Sequence, residues 1–280
     1  MTSVLLHDFI VEQHVKEALK EDIGFGDITT DYLIPGDAKI TAKLNTRQDG
    51  ILCGINIVKM VFKTLSSDVK IQTFFKDGDE IKKGDTLAII EGPARAILIG
   101  ERTALNYVQR LSGISTETKK YQEAIGDNKA RITDTRKTTP GFRMFEKYAV
   151  FMGGARLHRF NLADCVMIKD NHIQFAGSIT NAVNKIREHL SHTHKIEVEC
   201  DTLEQVKEAV QAKADIIMLD NMNCDLMKEC VNIIGDKALI EASGNVTIET
   251  IGEIAKTGVD VISSSAIVAK AKTLDIALDM

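Results

Sequence analysis

No stretch of the sequence approaches the ~20 consecutive apolar residues of a membrane-spanning helix, so no membrane association is expected. The opening residues, MTSVLLHDFIVEQHVKEALKEDIG, lack the basic start and long apolar run of a secretory leader. Leu6, Phe9, Ile10, Val15, Ala18 and Leu19 instead suit one face of an amphipathic helix. Cysteine is sparse and poorly arranged for cross-linking. There are five, Cys53, Cys165, Cys200, Cys224 and Cys230, an odd number with no CxxC pair. That argues against a disulfide framework or a zinc knuckle and makes a cytoplasmic location the expectation. Net positive charge is missing too: the balance is −5 at pH 7, so bulk electrostatics do not favour nucleic acid.

What is present is a chain of 280 residues, 44% hydrophobic and 27% charged, enough for a substantial core in one large domain or two ordinary ones. Its charge is unevenly spread. Residues 131–172 hold eight Lys/Arg against four acids, a basic island of net +4 in an acidic protein. Such an island points to a small anion.

The two halves have different rhythms. Residues 1–110 begin with the helix above and a turn-rich connection, EDIGFGDITTDYLIPGD. Strand-like KITAKLNTRQDGILCG and VKIQTFFKDGDEIKKGDTLAIIEG follow, separated by the helical INIVKMVFKTLS. This mixture predicts an α+β sandwich. IGERTALNYVQRLSGISTETKKYQEAI predicts a long helix with Arg102 in its first turn. From 131 onward, six short apolar segments each end in polar residues: RITDTRK, DCVMIKDNH, KIEVECD, ADIIMLDN, ALIEASGN and VDVISSSA. TLEQVKEAVQAKA and TIETIGEIAKTG are helices between them, so the pattern is repeated βα and the sheet parallel. Eight such units need ~200–250 residues, whereas 131–267 supply 137. The expectation is an incomplete or small α/β barrel, with an open doubly wound sheet as the second choice.

In either fold the chemistry gathers at the C-terminal ends of the strands. Those ends supply Arg136 and Lys137; Lys169, Asp170, Asn171 and His172; Glu197 and Glu199, which share a face; Asp220; Glu241, Ser243, Gly244 and Asn245; and Ser263, Ser264 and Ser265. The segment after the first strand adds His158 and Arg159. The cations suit carboxylates or phosphates. The carboxylates suit Mg²⁺, which binds through one or two protein carboxylates plus substrate phosphates. SGN and SSSA are donor-rich turns ahead of helices, a phosphate-binding arrangement. HLSHTH, by contrast, reads as a solvated connection and not as a metal site.

TRKTTPGFRMFEKYAVFMGGARLHRFNLADCVMIKDNHI resembles the signature of the quinolinate phosphoribosyltransferase family. EDIGFGDITT, GERTALNYVQRLSGIST, EVE, IMLDNM, EASGN and LDIAL fall in that family's order, so the resemblance covers nearly the whole chain. It implies an N-terminal α+β sandwich domain over 1–112 and an incomplete, six- to seven-stranded α/β barrel over 113–268, with residues 269–280 free to return to the first domain. It implies transfer of phosphoribosyl from 5-phosphoribosyl-1-pyrophosphate to quinolinate, with decarboxylation to nicotinate mononucleotide. It also implies Mg²⁺ and a homodimer or higher homo-oligomer with shared sites. By position, Arg102, Arg136, His158, Arg159 and Lys169 match the quinolinate-binding set, with Lys137 nearby and Arg102 serving a neighbouring subunit. Glu199 and Asp220 match the carboxylates facing ribose and Mg²⁺–pyrophosphate; with Lys137 and Lys169 they form the expected catalytic group. Ser243, Gly244, Asn245, Ser264 and Ser265 match the cradle of the 5-phosphate. Asn245 and Ser265 stand where the family commonly has glycine, and Ala269 where many members have histidine. A same-fold paralogue with another substrate is the alternative. A Schiff-base aldolase on Lys169 and a biotinyl or lipoyl carrier leave most of these residues unexplained.

Overall fold

The N-terminal helix forms where apolar spacing places one, but on a narrower stripe. In the computed structural model, which describes residues 6–280, Val11, Val15 and Leu19 are its buried residues. Phe9 and Ile10 lie outside that i, i+4, i+8 row and are exposed. The elements run α1 (Asp8–Ile23), α2 (Ile28–Leu33), β1 (Lys39–Thr46), β2 (Gly50–Ile51), α3 (Ile55–Leu65), β3 (Lys70–Thr73), β4 (Glu80–Ile81), β5 (Thr86–Pro93), α4 (Ala94–Ile125), β6 (Arg131–Thr133), α5 (Arg143–Met152) and β7 (Val166–Ile168). They continue with α6 (Asp170–Ala176), α7 (Ile179–Arg187), β8 (Ile196–Cys200), α8 (Leu203–Gln211), β9 (Ile216–Asp220), α9 (Cys224–Ile234), β10 (Leu239–Ser243), α10 (Ile251–Ala255), β11 (Val261–Ser263), α11 (Ala266–Ala269) and β12 (Ile276–Asp279).

Two compact units divide these elements. The first takes the chain up to Lys119, with Met144–Gly154 and Ala271–Met280; the second takes Lys120–Arg143 and Ala155–Lys270. In the first, an antiparallel sheet of order β12-β1-β5-β3 is accompanied by the two-stranded β2-β4. The last strand of the chain thus pairs with the first. A short helix, α2, stands in what the sequence suggests is only a connection. Asp27 nucleates it by accepting the Thr30 N–H at 3.0 Å. The start of α3 is satisfied from afar: buried Asp77 accepts the N–H groups of Gly54 and Ile55 through Oδ1, and Tyr148 O–H donates to its Oδ2 at 2.7 Å. α4 begins at Ala94, five residues before the expected start. Arg102 therefore stands two turns inside it, where the terminal dipole has little hold.

The second unit is a six-stranded sheet of order β6-β11-β10-β9-β8-β7, with every pairing parallel. Its first strand pairs with its last, which is barrel closure; the remaining opening falls between β6 and β7. There an isolated parallel bridge joins Thr133 and Arg156. This strand order excludes the doubly wound alternative. The central strands are buried through their middles, because helices cover the sheet, and hence they are continuous apolar runs. Capping side chains start the helices cleanly: Ser178 accepts from Asn181 N–H, Thr202 from Gln205 N–H and Asn223 from Leu226 N–H. The exceptions to the apolar rule are Glu197 and Glu241, both buried inside strands. A carboxylate there is costly unless it has a task.

Candidate active site

A cavity of about 690 Å³ opens at the C-terminal ends of the barrel strands. Arg136, Lys137, His158, Arg159, Lys169, Glu199, Asp220, Ser243, Gly244, Asn245, Ser264 and Ser265 all line it. Residues from six strand ends and one loop, up to 129 positions apart in sequence, thus reach one space. Arg102 does not line it: it lies on α4 in the first unit and is exposed.

The cationic side is built on the loop after β6. Arg143 braces that loop by donating from Nε to Thr138 Oγ1 at 3.0 Å and from Nη1 to the Phe160 carbonyl at 2.8 Å. Arg136 is left in a difficult position. Burial, then the charges of Arg159 and Arg143, depress its pKa, and its Nε is buried with no hydrogen-bond partner. Guanidiniums crowded together with an unmet donor are an anion site in waiting, since an anion relieves both the repulsion and the desolvated N–H. Arg159 is oriented by donating from Nη1 to the Cys165 carbonyl at 2.7 Å. Lys169, at the end of β7, forms an ion pair with Glu199 at the end of β8.

The acidic side continues along β9. Asp220 Oδ2 accepts from Asn221 Nδ2 at 2.7 Å, and Asn221 Oδ1 accepts from Asn245 Nδ2 at 2.9 Å. Asn221 and Asn245 both adopt left-handed backbone, at φ 54° and 49°, which asparagine tolerates better than most side chains. Asn245 therefore holds a backbone conformation that glycine adopts freely, and its amide steadies the neighbouring turn. Gly244 cannot be replaced so readily. At φ 88° a Cβ would lie 2.3 Å from Asn221 Oδ1.

The two small turns differ from expectation in one respect. α10 starts only at Ile251 and α11 has four residues, so neither presents a long helix N-terminus to the cavity. Ser264 ties the turns together: its amide donates to the Thr133 carbonyl, and its hydroxyl donates to the Val246 carbonyl while accepting the Ala266 N–H. Lys270, just beyond α11, also lines the cavity; it belongs to no strand end, so the βα pattern of the sequence does not point to it.

Beneath the cations lies a set the sequence only half shows. His158 Nε2 is 3.4 Å from Glu197 Oε2 and 3.6 Å from Glu241 Oε1. His158 Nδ1 accepts the N–H of Arg159 at 2.8 Å, and the His158 N–H donates to buried Asp134 Oδ1 at 2.8 Å. Burial opposes a charge on the ring, while the hydrogen bond to Glu197 and the charges of Glu241, Glu197 and Asp134 draw its pKa up. A second ring proton would have to sit on Nδ1, against the Arg159 N–H. The Arg159 N–H donated to Nδ1 fits a ring that carries its proton on Nε2. Burial, and then the charge of Glu197, push Glu241 up to about 7. The three ligand-type atoms lie within 4.8 Å of one another, yet a cation on Nε2 would require the proton on Nδ1, so this cluster does not fit a metal.

The comparisons with known proteins agree with this geometry. Residues 27–112 match the quinolinate phosphoribosyl transferase N-terminal domain and residues 114–279 its C-terminal domain. A Bacillus subtilis protein named probable nicotinate-nucleotide pyrophosphorylase [carboxylating] is 44% identical over 260 residues, 93% of this chain and 90% of that protein. The crystal structure of NadC from Streptococcus pyogenes superposes with a TM-score of 0.96 at 38% identity, covering 98% of this chain and 97% of that one. The nicotinate-nucleotide pyrophosphorylase from Francisella tularensis does so at 0.94 and 40%, covering 98% and 97%. With both domains matched in order and the cavity at the barrel strand ends, this chain belongs to the quinolinate phosphoribosyltransferase family.

Proposed function

We propose that this chain transfers the phosphoribosyl group of 5-phosphoribosyl-1-pyrophosphate to quinolinate and releases one carboxyl as CO₂, giving nicotinate mononucleotide and pyrophosphate for NAD biosynthesis. The observation that carries the reading is Arg136: crowded by Arg143 and Arg159, with a buried N–H unmet, at the mouth of a cavity whose other side is Glu199 and Asp220. One pole suits a dicarboxylate and the other an electron-poor sugar.

Quinolinate is a dianion. Arg136, Arg159 and Lys169, with Lys137 at the rim, neutralise it and hold its ring nitrogen toward the ribose. The nitrogen's lone pair forms the bond to the anomeric carbon as the bond to pyrophosphate breaks. Positive charge gathers on the sugar during that exchange, and Glu199 and Asp220 stabilise it. The 5-phosphate lies in the turns around Ser243–Asn245 and Ser264–Ser265, with Lys270 at their edge. Loss of CO₂ then leaves an electron pair on the ring carbon next to the cationic nitrogen, which stabilises it until it takes up a proton. Glu199 and Asp220 form an oxygen-only donor pair on adjacent strands, the hard set that suits Mg²⁺; when bound, the ion would neutralise charge on the pyrophosphate.

The proposal extends to assembly and location. Arg102, exposed on the first unit, serves the site of a second copy in a homodimer or larger homo-oligomer. The exposed apolar side chains Phe9, Phe25, Ile28, Tyr32 and Leu33 support such an interface. Five free cysteines support a cytoplasmic setting.

Incubation with quinolinate, 5-phosphoribosyl-1-pyrophosphate and Mg²⁺ tests the reading. Nicotinate mononucleotide and CO₂ are expected in equal amounts, abolished by EDTA or by Lys169→Ala. A folded protein that forms neither would refute it.

A further inference from the structure

His158 lines the cavity, yet neither of its nitrogens is offered to it. Nδ1 accepts the Arg159 N–H, and Nε2 lies between Glu197 and Glu241, two carboxylates that are 1% and 3% exposed. Glu197 Oε1 is buried without a hydrogen-bond partner, and Glu241 Oε1, the oxygen that faces Nε2 at 3.6 Å, makes no hydrogen bond either, so the pair gains little as scaffold alone. Asp134 takes the backbone N–H of the same histidine. Three buried acids thus converge on one residue whose ring reaches back to the next residue's amide. That next residue is Arg159, whose guanidinium stands close enough to Arg136 to depress its pKa.

We propose that His158 serves the substrate as a positioning residue and not as a direct ligand: Glu197 and Glu241 hold its ring in the Nε2–H form, and its Nδ1 fixes the backbone from which Arg159 reaches the anion. The reading of Arg159 as part of a dicarboxylate clamp rests on the function proposed above; the use of both ring nitrogens within the protein does not. The strand glutamates thereby acquire a role. They select one tautomer, and the tautomer selects the place of the Arg159 amide. A ring flipped to Nδ1–H would set two N–H groups against each other and push Arg159 away from Arg136.

Two measurements decide it. Long-range ¹H–¹⁵N spectra of the full-length protein with labelled histidine, taken without substrate, report the tautomer of His158, whose signal is the one missing in His158→Asn. An Nε2–H pattern is expected. An Nδ1–H or doubly protonated ring would overturn the proposal. The second measurement is the KM for quinolinate against kcat in three variants. Asparagine places a polar atom where Nδ1 stood, and glutamine where Nε2 stood. His158→Ala should raise KM up to about tenfold with a smaller change in kcat, the upper size of one lost neutral hydrogen bond. His158→Asn should return KM to within about threefold of the wild type, and His158→Gln should resemble alanine. The reverse ranking, glutamine rescuing and asparagine not, would mean that Nε2 meets the substrate and would sink the proposal. If the wild-type protein binds no quinolinate, the functional reading fails, while the tautomer still decides the claim about the ring.

Discussion

Glu241→Gln should change how stability depends on pH, in a window the structure defines. The folded carboxyl is pushed from an ordinary 4.5 up to about 7 by burial and by Glu197. A raised carboxyl pKa means that, between those values, the folded state binds a proton that the unfolded state has lost. Stability then falls as pH rises, beginning near pH 4.5 and levelling above pH 7. At 1.36 kcal/mol per unit, a 2.5-unit difference corresponds to about 3 kcal/mol. Little of this is lost to solvent screening, because Glu241 is 3% exposed. Glutamine keeps the shape and has no proton to lose. Urea unfolding of both proteins at half-unit steps from pH 4 to pH 8 is the assay. The difference in unfolding free energy, variant minus wild type, should climb by about 3 kcal/mol across the window. A flat difference would refute the reasoning: Glu241 would then ionise as an exposed carboxylate does.

Other perturbations probe separate parts of the design. Lys169→Met removes the partner of Glu199 and a clamp cation together, so kcat/KM in the coupled nicotinate mononucleotide and CO₂ assay should fall about a hundredfold or more; a change under threefold would remove Lys169 from the site. Gly244→Ala would place a Cβ 2.3 Å from Asn221 Oδ1 and 2.8 Å from Asn221 N. It should raise the KM for 5-phosphoribosyl-1-pyrophosphate by displacing Asp220, and an unchanged KM would show that the turn adapts. Gly113→Ala lies within α4, where alanine would ordinarily add about 1 kcal/mol. Here the Cβ would meet the Lys272 carbonyl oxygen at 2.0 Å, so thermal unfolding should show a net loss of about 1–3 kcal/mol, and a gain would mean the Lys272 backbone can give way. Mixing inactive Arg102→Ala and Lys169→Ala proteins under conditions that exchange subunits should restore part of the activity, because one mixed site then carries neither change. No recovery from a demonstrably mixed oligomer would refute sharing.

The expected site residues were legible because a parallel α/β fold exposes its strand ends, and six apolar segments with polar endings mark where they fall. From Arg136 to Ser265 every one of the six strand ends sends residues into the same cavity, although Asp170, Asn171, His172 and Glu197 do not line it. Local chemistry also fixed the long helices, whose apolar repeats need no distant partner to be recognised. It was less informative at the edges: α2 depends on one Asp27 cap, and the buried stripe of α1 excludes Phe9 and Ile10, a choice made by what packs against the helix. Closure of the barrel was beyond local reading, because the pairing of β6 with β11 joins residues about 130 apart and no spacing rule states it. The same holds for the buried set. Glu197, Glu241, His158 and Asp134 each have an ordinary sequence context, and only the sheet register and the loop after β6 bring them together. Sequence alone thus determined which groups stand at the strand ends, since that follows from periodicity and side-chain type. Tertiary structure decided their states: which guanidinium is crowded, which carboxyl keeps a proton and which nitrogen of His158 carries one, because those depend on burial and on neighbours that the chain supplies from far away.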